Sequence, residues 1–219
     1  MAEPSRTVLV TGFEPFGGES ENPSQSIARE LAGRTIADRL VASEILPCVY
    51  GESIKALKAA IRRHRPELVI CLGQAGGRAG LTIERVALNL DDAPIPDNAG
   101  QRPIDQPISR TGPAASWSTL PVKAVARAIA MAGIEASVSH TAGTFVCNHV
   151  FYGLMQTLKR RPGIRGGFIH VPFLPEQSER QGRNAPFMLL SQMVRGVEMA
   201  IETALATPAD GSMTGGATH

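Results

Sequence analysis

Two apolar runs that end in glycine-rich loops constrain the fold of this chain more than any other feature of its sequence. The runs cover residues 7–10 and 68–72, and the loops follow at 12–18 and 73–77. Between the runs, apolar residues at positions 54, 57 and 61 predict a helix over 50–64. Uninterrupted apolar strands connected through helices are typical of a sheet that is covered on both faces. The sequence therefore predicts an α/β fold.

Spacing and turn residues place the other elements. Strands are predicted at 40–46, 81–90, 135–139 and 166–171, and helices at 24–31, 121–132, 145–159 and 186–204. Residues 93–115 are rich in proline, aspartate and glycine and predict a long ordered loop. We expect one domain over 1–206 and a flexible tail over 207–219. The ligand crevice of such a sheet lies at the carboxyl ends of the strands, where both glycine-rich loops fall.

The composition argues against several classes of protein. Apolar residues make up 43% and charged residues 19% of the chain, which is typical of a soluble globular protein. A formal net charge of +2 gives no reason to expect nucleic acid as a partner, and the basic clusters at 62–65 and 159–161 are interpreted as solvated helix ends. No apolar run reaches membrane-spanning length. Three widely separated cysteines, Cys48, Cys71 and Cys147, argue against a disulfide framework and favour a reducing cytoplasm.

Cys147 is the strongest candidate for chemistry. It follows the strand predicted at 135–139 and a glycine turn, and it falls in the first turn of the helix predicted over 145–159. Free N–H groups and the macrodipole at a helix start favour a thiolate, the form of cysteine that attacks a carbonyl carbon. The alternative is that Cys147 is a small buried apolar residue, as most free cysteines are.

A nucleophilic cysteine needs a base within hydrogen-bond reach and a third group that orients the base. His170 ends the strand predicted at 166–171, His140 lies just upstream of Cys147, and His149 follows it on a different side of the helix. As the candidate base, His170 is favoured over His140 only modestly by spacing alone. Glu84 lies in an apolar row of the segment 81–90, where an unpaired buried charge is costly, so an edge strand with Glu84 in water is an alternative.

The first glycine-rich loop carries two aromatic side chains, Phe13 and Phe16. The loop lacks the Gly-Lys-Ser/Thr of a phosphate loop and the G-x-G-x-x-G spacing of a dinucleotide site. Both rings either anchor the loop to the core or line the crevice at the end of the first strand, and the loop by itself favours the first interpretation.

Six separate blocks, in order, carry a resemblance to a known family. They are TGFEPFGG with Asn-Pro at 11–18 and 22–23, GQAGGR at 73–78, ERVALN at 84–89, IPDN at 95–98, TAGTFVCNH at 141–149 and GFIHVP at 167–172. With these blocks the chain resembles the pyroglutamyl-peptidase I family, the pyrrolidone-carboxylate peptidases, which are cysteine peptidases that remove an N-terminal pyroglutamyl residue. No single block is specific, whereas six in the right order are.

The resemblance implies a single three-layer α/β/α sandwich with a mostly parallel, mixed sheet, and a homotetramer. It implies Cys147 as the nucleophile, His170 as the base and then the acid, and Glu84 as the group that orients His170. The implied substrates are peptides with an N-terminal pyroglutamate. No metal, organic cofactor, nucleic acid or membrane is expected as a partner.

The resemblance also implies a pocket for the pyroglutamyl ring, which is a flat, uncharged lactam. The rings of Phe13, Phe16 and Phe145 would enclose it, with Asn22 and the backbone of Gln74 at its polar atoms. An apolar pocket with a few fixed polar groups suits such a ligand, and no carboxylate is needed to hold an α-amine.

One departure from the family is visible. Members often carry an arginine immediately before IPDN, where this chain has Pro94, so any role of that arginine is either absent or filled by another group such as Arg78 or Arg85.

Three alternatives to a pyroglutamyl peptidase remain open. They are a cysteine amidase acting on another cyclic or blocked amide, a ligand-binding module without catalysis, and a metal site built from Cys147, His140, His149 and His170.

Overall fold

The computed structural model describes residues 7–181, 185–212 and 214. Within these residues, nine strands and six helices follow one another along the chain. The strands are β1 (Thr7–Phe13), β2 (Thr35–Ile36), β3 (Arg39–Leu46), β4 (Leu68–Gln74), β5 (Leu81–Glu84), β6 (Val86–Leu88), β7 (Ala115–Trp117), β8 (Ala136–Ser139) and β9 (Arg165–Val171). The helices are α1 (Pro23–Leu31), α2 (Glu52–His64), α3 (Val122–Met131), α4 (Val146–Leu158), α5 (Pro175–Gln181) and α6 (Leu190–Ala206).

Seven of the described strands form one mixed sheet in the order β2-β3-β1-β4-β9-β5-β8. β1 is parallel to both β3 and β4, β4 is parallel to β9, and β5 is parallel to β8. The β2–β3 and β5–β9 pairs are antiparallel. β6 and β7 form a separate two-stranded antiparallel ribbon. The expected mostly parallel, mixed sheet is confirmed.

Helices cover both faces of this sheet and complete the expected three-layer sandwich. α1, α3 and α6 pack on one face, where Ile27, Val125 and Ile201 belong to one apolar core. α2 and α4 pack on the other face, around Leu57 and Phe151. Successive side chains of the central strands point to opposite faces of the sheet. Because an apolar core lies on each face, nearly every residue of these strands is apolar, and their sequences are continuous apolar runs. In the described part of the chain, no helix is long and apolar enough to cross a membrane.

The structure departs from the sequence-based elements in several respects. The strand predicted at 135–139 is half-buried rather than buried, because β8 lies at the edge of the sheet. The alternating segment 81–90 divides at Arg85 into β5, inside the main sheet, and β6, in the small ribbon. The last helix begins at Leu190 rather than at 186, and the short elements β2, β7 and α5 are not indicated by the sequence pattern.

The segment between β6 and β7 is the predicted long loop, and hydrogen bonds fasten it to the fold. Asp91 and Gln106 form an isolated antiparallel bridge, with N···O distances of 2.7 and 2.9 Å. The buried carboxylate of Asp97 accepts the backbone N–H groups of Tyr50 at 2.9 Å and of Gln101 at 2.8 Å. The loop is therefore tied to the residues that precede α2.

The chain beyond α6 returns to the fold. Arg165 Nη1 donates to the carbonyl oxygen of Thr207 at 2.9 Å. The carboxylate of Asp210 accepts the backbone N–H groups of Lys123 and Ala124, each at 3.0 Å, at the start of α3. Asp210 thus caps a helix whose own N-cap residue is Pro121. Of the tail predicted at 207–219, residues 213 and 215–219 lie outside the described residues.

Candidate active site

Cys147 lies in the first turn of α4, with a side chain that is 8% exposed. A Cβ atom placed on Gly73, near the carboxyl end of β4, would lie 2.7 Å from Cys147 Sγ and 2.7 Å from a ring carbon of Phe168. Atoms in a packed interior do not approach so closely, so only glycine at position 73 leaves room for the thiol. Gly73 pairs with His170 of β9 in the sheet. The thiol therefore lies beside the strand position that carries His170.

His170 and Glu84 form a buried pair on neighbouring strands. His170 Nδ1 lies 2.8 Å from Glu84 Oε1, and the side chains are 4% and 0% exposed. Glu84 is opposite Phe168 and Thr82 is opposite His170, so the carboxylate reaches the imidazole diagonally across the two strands. An ionised carboxylate only accepts hydrogen bonds, so Nδ1 carries the proton and Nε2 is the basic nitrogen. The alternative of an exposed edge strand is wrong, because β5 lies between β9 and β8.

Arg78, in the loop after β4, contacts the same carboxylate. Its Nη1 donates to Glu84 Oε1 at 2.6 Å and to the hydroxyl of Thr82, and its Nη2 donates to the carbonyl oxygen of Thr141 at 3.2 Å. A buried carboxylate is costly unless it is paired, and here it has both a guanidinium and an imidazole partner. Arg78 is thus one of the two candidate substitutes for the arginine absent at Pro94, and it touches the His170–Glu84 pair.

Burial and these charges decide the protonation states. Burial acts to raise the pKa of Glu84, but hydrogen bonds from His170 and Arg78 outweigh it, and the pKa lies below its ordinary value. Burial lowers the pKa of His170, against the opposing effect of Glu84. Burial also raises the pKa of the Cys147 thiol. Burial thus favours the neutral forms of the Cys147 thiol and the His170 imidazole, whereas the hydrogen bonds to Glu84 favour its carboxylate form.

A second buried histidine–carboxylate pair lies on α4, two residues beyond Cys147. His149 Nδ1 lies 2.8 Å from Asp91 Oδ2, and its Nε2 accepts the backbone N–H of Gly51 at 2.9 Å. Because Nε2 is an acceptor, Nδ1 carries the proton and donates to Asp91. Both ring nitrogens are occupied, so His149 ties α4 to the start of α2. His140, the other alternative base, has an exposed side chain.

The three phenylalanines predicted for the pocket differ in burial. The rings of Phe16 and Phe145 are 5.8 Å apart and both residues are half-buried. Tyr50 packs edge-on against Phe145 with ring centroids 5.8 Å apart. Phe13 is 1% exposed and packs on Phe168 at 6.4 Å. Phe16 and Phe145 therefore present ring surface to solvent, whereas Phe13 lies in the core.

The two polar residues predicted for the pocket are held by neighbouring groups. Asn22 is 1% exposed and caps α1, where its Oδ1 accepts from the backbone N–H of Ser24 at 3.0 Å and its Nδ2 donates to the carbonyl oxygen of Glu14 at 3.2 Å. Gln74 is half-buried at the end of β4, and its Oε1 accepts from Gln177 Nε2 at 2.9 Å. Asn22 therefore braces the first glycine-rich loop, and Gln177 ties α5 to the end of β4.

Several buried polar residues near the site are not indicated by the sequence reasoning. Asn148, next to Cys147, donates through Nδ2 to the carbonyl oxygens of Leu88 and Leu90, each at 2.9 Å, and accepts from the Leu88 N–H at 2.9 Å. Asp91 holds His149, as described above. An amide side chain inside an otherwise apolar helix is the signal that points to Asn148, because such a group must find partners when buried.

Pro94 lies at the rim of a cavity of about 350 Å³. Arg102 also lines it, and its guanidinium donates to the carbonyl oxygens of Ala93 at 3.1 Å and Pro94 at 2.8 Å. Thr144, three residues before Cys147, forms part of the same wall, and its hydroxyl donates to the carbonyl oxygen of Asp92 at 2.8 Å. A second arginine, Arg102, is therefore bound to the backbone at Pro94.

The metal-site alternative finds no support in the arrangement of the side chains. Among the residues that the structure describes, no group of three or more histidine, cysteine, aspartate or glutamate side chains has the arrangement needed to hold a metal ion. The two nitrogens of His149 are bound to Asp91 and Gly51, and His140 is exposed.

The fold and this site together define an α/β/α protein with a buried thiol, imidazole and carboxylate at the carboxyl edge of its strands. The model of a family described as "Pyroglutamyl peptidase" matches residues 6–207. The chain belongs to this family.

Individual relatives are similar in sequence to this chain along nearly its whole length. A pyrrolidone-carboxylate peptidase of Bacillus cereus is 53% identical over 215 residues, which cover 98% of this chain and 100% of the relative. One of Cupriavidus pinatubonensis is 53% identical over 216 residues, with the same coverage. Among solved structures, the pyroglutamyl peptidase I of Bacillus amyloliquefaciens has a TM-score of 0.92 at 46% identity and covers 95% of this chain and 99% of its own. A mutant pyrrolidone carboxyl peptidase of Pyrococcus furiosus has a TM-score of 0.88 at 40% identity, covering 91% and 98%.

Proposed function

We propose that this chain is a cysteine exopeptidase that hydrolyses the amide bond after an N-terminal pyroglutamyl residue, with Cys147, His170 and Glu84 as its catalytic triad. The observation that carries the proposal is the buried hydrogen bond between His170 and Glu84 beside the helix start that bears the thiol. Family membership supports the substrate class, because relatives are named pyrrolidone-carboxylate peptidases and pyroglutamyl peptidases.

In the first step, His170 Nε2 takes the thiol proton as Cys147 Sγ attacks the pyroglutamyl carbonyl carbon. Burial lowers the pKa of His170, so the imidazole is neutral and able to accept the proton. Glu84 holds the ring by Nδ1 and stabilises the imidazolium that forms. Because burial raises the pKa of the thiol, proton transfer accompanies the attack rather than preceding it.

The oxyanion of the tetrahedral intermediate would be stabilised by backbone N–H groups in the first turn of α4. The first N–H groups of a helix lack partners within the helix, and the hydrocarbon side chain of the N-cap residue, Phe145, does not occupy them. His170 then protonates the departing amine, and a thioester remains on Cys147. Water, deprotonated by His170, hydrolyses the thioester and releases pyroglutamate. This sequence of steps requires no metal or organic cofactor.

The lactam ring would lie against Phe16 and Phe145, with Phe13 supporting the site from the core. The backbone of Gln74 is proposed to meet the polar atoms of the ring. Asn22 would contribute by holding the first glycine-rich loop to α1, since its Nδ2 donates to the carbonyl oxygen of Glu14 and its Oδ1 accepts from the backbone N–H of Ser24. Proline lacks the ring carbonyl, so a prolyl ligand would leave a buried polar group unpaired and would be rejected.

The test compares release of a chromogenic amine from a pyroglutamyl amide and from the matching prolyl amide, under reducing conditions. We expect turnover of the pyroglutamyl substrate alone, and a fall in kcat/KM of at least about 10³-fold in Cys147→Ser, because removing a nucleophile that acts with its base removes most of the catalysis. Cys48→Ala is the matched control, since Cys48 is also buried and burial raises its pKa to about 12.

Three results would contradict the proposal. Equal turnover of the prolyl amide would contradict the proposed specificity for the lactam. Full activity of Cys147→Ser would contradict the assignment of Cys147 as the nucleophile. Turnover confined to other cyclic or blocked amides in a substrate panel would favour the amidase alternative. A loss in Cys48→Ala as large as that in Cys147→Ser would show that the effect is one of packing.

We also propose a homotetramer, which the family resemblance supports, and a cytoplasmic location, which the three widely separated cysteines favour. The chain length and the composition of the tail support a peptidase domain over 1–206. Sedimentation equilibrium at micromolar concentration checks the assembly, and a mass of one chain, 23.2 kDa, would contradict it.

A further inference from the structure

A second cavity, of about 860 Å³, lies between α2, α4 and the loop at 108–113. α2 leads into the start of β4 and α4 leads into the start of β9, and these two strands are parallel. Cys147 lies beside Gly73, near the carboxyl end of β4, so the last turns of both helices lie at the opposite edge of the sheet. With a rise of about 1.5 Å per residue, Arg160 lies roughly 20 Å from Cys147 along α4. The hydroxyl of Tyr152 donates to the carbonyl oxygen of Pro113 at 2.8 Å and fixes the loop over the helix. This cavity is separate from the candidate active site.

Five basic side chains from two distant stretches of the sequence meet at this cavity. They are Lys58 and Arg62 from α2, and Lys159, Arg160 and Arg161 from the end of α4. No carboxylate belongs to its described lining, and within the described residues none of the five is in an ion pair. Arg63, the neighbour of Arg62, is by contrast paired with Glu44 at 2.6 Å.

Helix ends alone do not account for this arrangement. Cations in the last turn of a helix complement its dipole, and Arg62 and Lys159 fit that explanation. Lys58 lies more than a turn before the end of α2, beyond the reach of that effect. The formal charge of the whole chain is +2, whereas five positive charges face one concave surface. Charges of one sign in a cleft focus the field and raise the local concentration of the opposite ion.

The rest of the lining suits an anion with an organic part. Ser109 and Thr111 bring hydroxyl groups, which donate well to phosphate oxygens. Ile54 and Ile108 provide apolar wall. The volume lies within the usual range for small-molecule sites, about 300–1,000 Å³.

We propose that this cavity binds a compound with a multiply charged phosphate group, held by Lys58, Arg62 and Lys159 to Arg161. Guanidinium groups bind phosphate oxygens in pairs, which favours a phosphate chain over an isolated carboxylate. Inorganic oligophosphates and nucleoside triphosphates share this chemistry. The site is independent of the proposed peptidase reaction.

The test is isothermal titration calorimetry at low salt with tripolyphosphate, ATP and adenosine, on the full chain. We expect both phosphates to bind and the affinity to fall as salt is raised. The double variant Arg62→Gln/Arg160→Gln should weaken phosphate binding at least 10-fold. Arg29→Gln/Arg195→Gln is the matched control, because it removes the same charge from helices on the other face of the sheet, and it should change binding less than 2-fold.

The three ligands separate the sources of the phosphate group. Tighter binding of ATP than of tripolyphosphate assigns the site to nucleotides, and equal binding of the two assigns it to the phosphate chain. The proposal is overturned by absence of heat with both phosphates, by equal losses in the test and control variants, or by equal binding of adenosine. Binding of a single-stranded oligonucleotide alone would also overturn it. Equal melting temperatures of the variants and wild type establish that the chain remains folded.

Discussion

Glu84 is fully buried, yet it contacts both an imidazole and a guanidinium. One partner is His170, which Glu84 orients in the proposed triad, and the other is Arg78 from the loop after β4. Burial is the main cause that lowers the pKa of His170, and the charge of Arg78 acts in the same direction. Hydrogen bonds from His170 and Arg78 both lower the pKa of Glu84. We therefore predict that Arg78 is a positioning residue, which acts through the protonation of the His170–Glu84 pair.

Arg78→Gln should move the acid limb of the kcat/KM profile to higher pH. Removing the positive charge raises the pKa of His170, so the imidazole becomes protonated, and inactive as a base, at a higher pH than in wild type. We also expect kcat/KM at neutral pH to fall about 10-fold, because a less well-oriented general base loses part of its contribution of roughly 10²–10⁴-fold. The measurement is kcat/KM for a pyroglutamyl amide between pH 4 and pH 8, with rates expressed relative to each variant's plateau.

Arg195→Gln, on α6, is the control for that profile, because it removes one charge far from His170. A lower plateau with an unshifted acid limb would mean that Arg78 acts only by holding the loop in place. An acid limb that moved to lower pH would contradict the assigned sign.

At the scale of elements, α3 depends on a residue that arrives from beyond the last helix. Its N-cap residue is Pro121, which has no side-chain acceptor, and the carboxylate of Asp210 accepts two of its first N–H groups. A negative charge at a helix start also complements the dipole. The first residues after α6 are thus part of the helical layer formed by α1, α3 and α6.

Asp210→Ala should lower the free energy of unfolding by about 0.5–2 kcal/mol, the usual cost of removing a helix cap. Urea unfolding at pH 7 checks the value. Asp210→Asn keeps an oxygen acceptor and should lose less than half as much. Equal losses in the two variants would assign the effect to charge, and no loss in either would show that the contact does not stabilise α3.

At the scale of the whole molecule, the two titrating partners of the site make the fold sensitive to acid. Glu84 has a native pKa below its ordinary value of 4.5, and His170 has one below 6.5. In both cases the unfolded chain binds a proton at a pH where the native chain does not. Stability therefore falls as the pH drops, first below about 6.5 through His170 and then below about 4.5 through Glu84.

Glu84→Gln should be less stable than wild type at pH 7 and should lose less stability between pH 5 and pH 3. The amide does not titrate, so the contribution that wild type loses in this window is already missing from the variant. Urea unfolding at several pH values gives the two curves, with Glu52→Gln as a control, since Glu52 is an exposed partner of Lys55. Parallel curves for Glu84→Gln and wild type would contradict the low native pKa of Glu84.

Local sequence patterns predicted much of the fold. The strands that contain residues 7–10, 40–46, 68–72 and 166–171 lie where their apolar runs predict, because a strand buried on both faces must be apolar throughout. Cys147 is in the first turn of α4 and His170 is near the end of β9, as their flanking turns and spacing predict. The roles of these residues came from the resemblance, because spacing alone separated His170 from His140 only weakly.

By itself, the sequence determined the family, the α/β class and the position of the thiol, since these follow from local periodicity and from motifs in order. Tertiary structure alone decided that β5 lies antiparallel within the sheet, so that Glu84 is buried beside His170. It also decided that the second nitrogen of His149 is occupied by Gly51, and that burial raises the pKa of the Cys147 thiol. Tertiary structure also decided that basic residues of α2 and of the end of α4 line one cavity. Each of these depends on burial and on contacts between residues far apart in the chain, which no local pattern records.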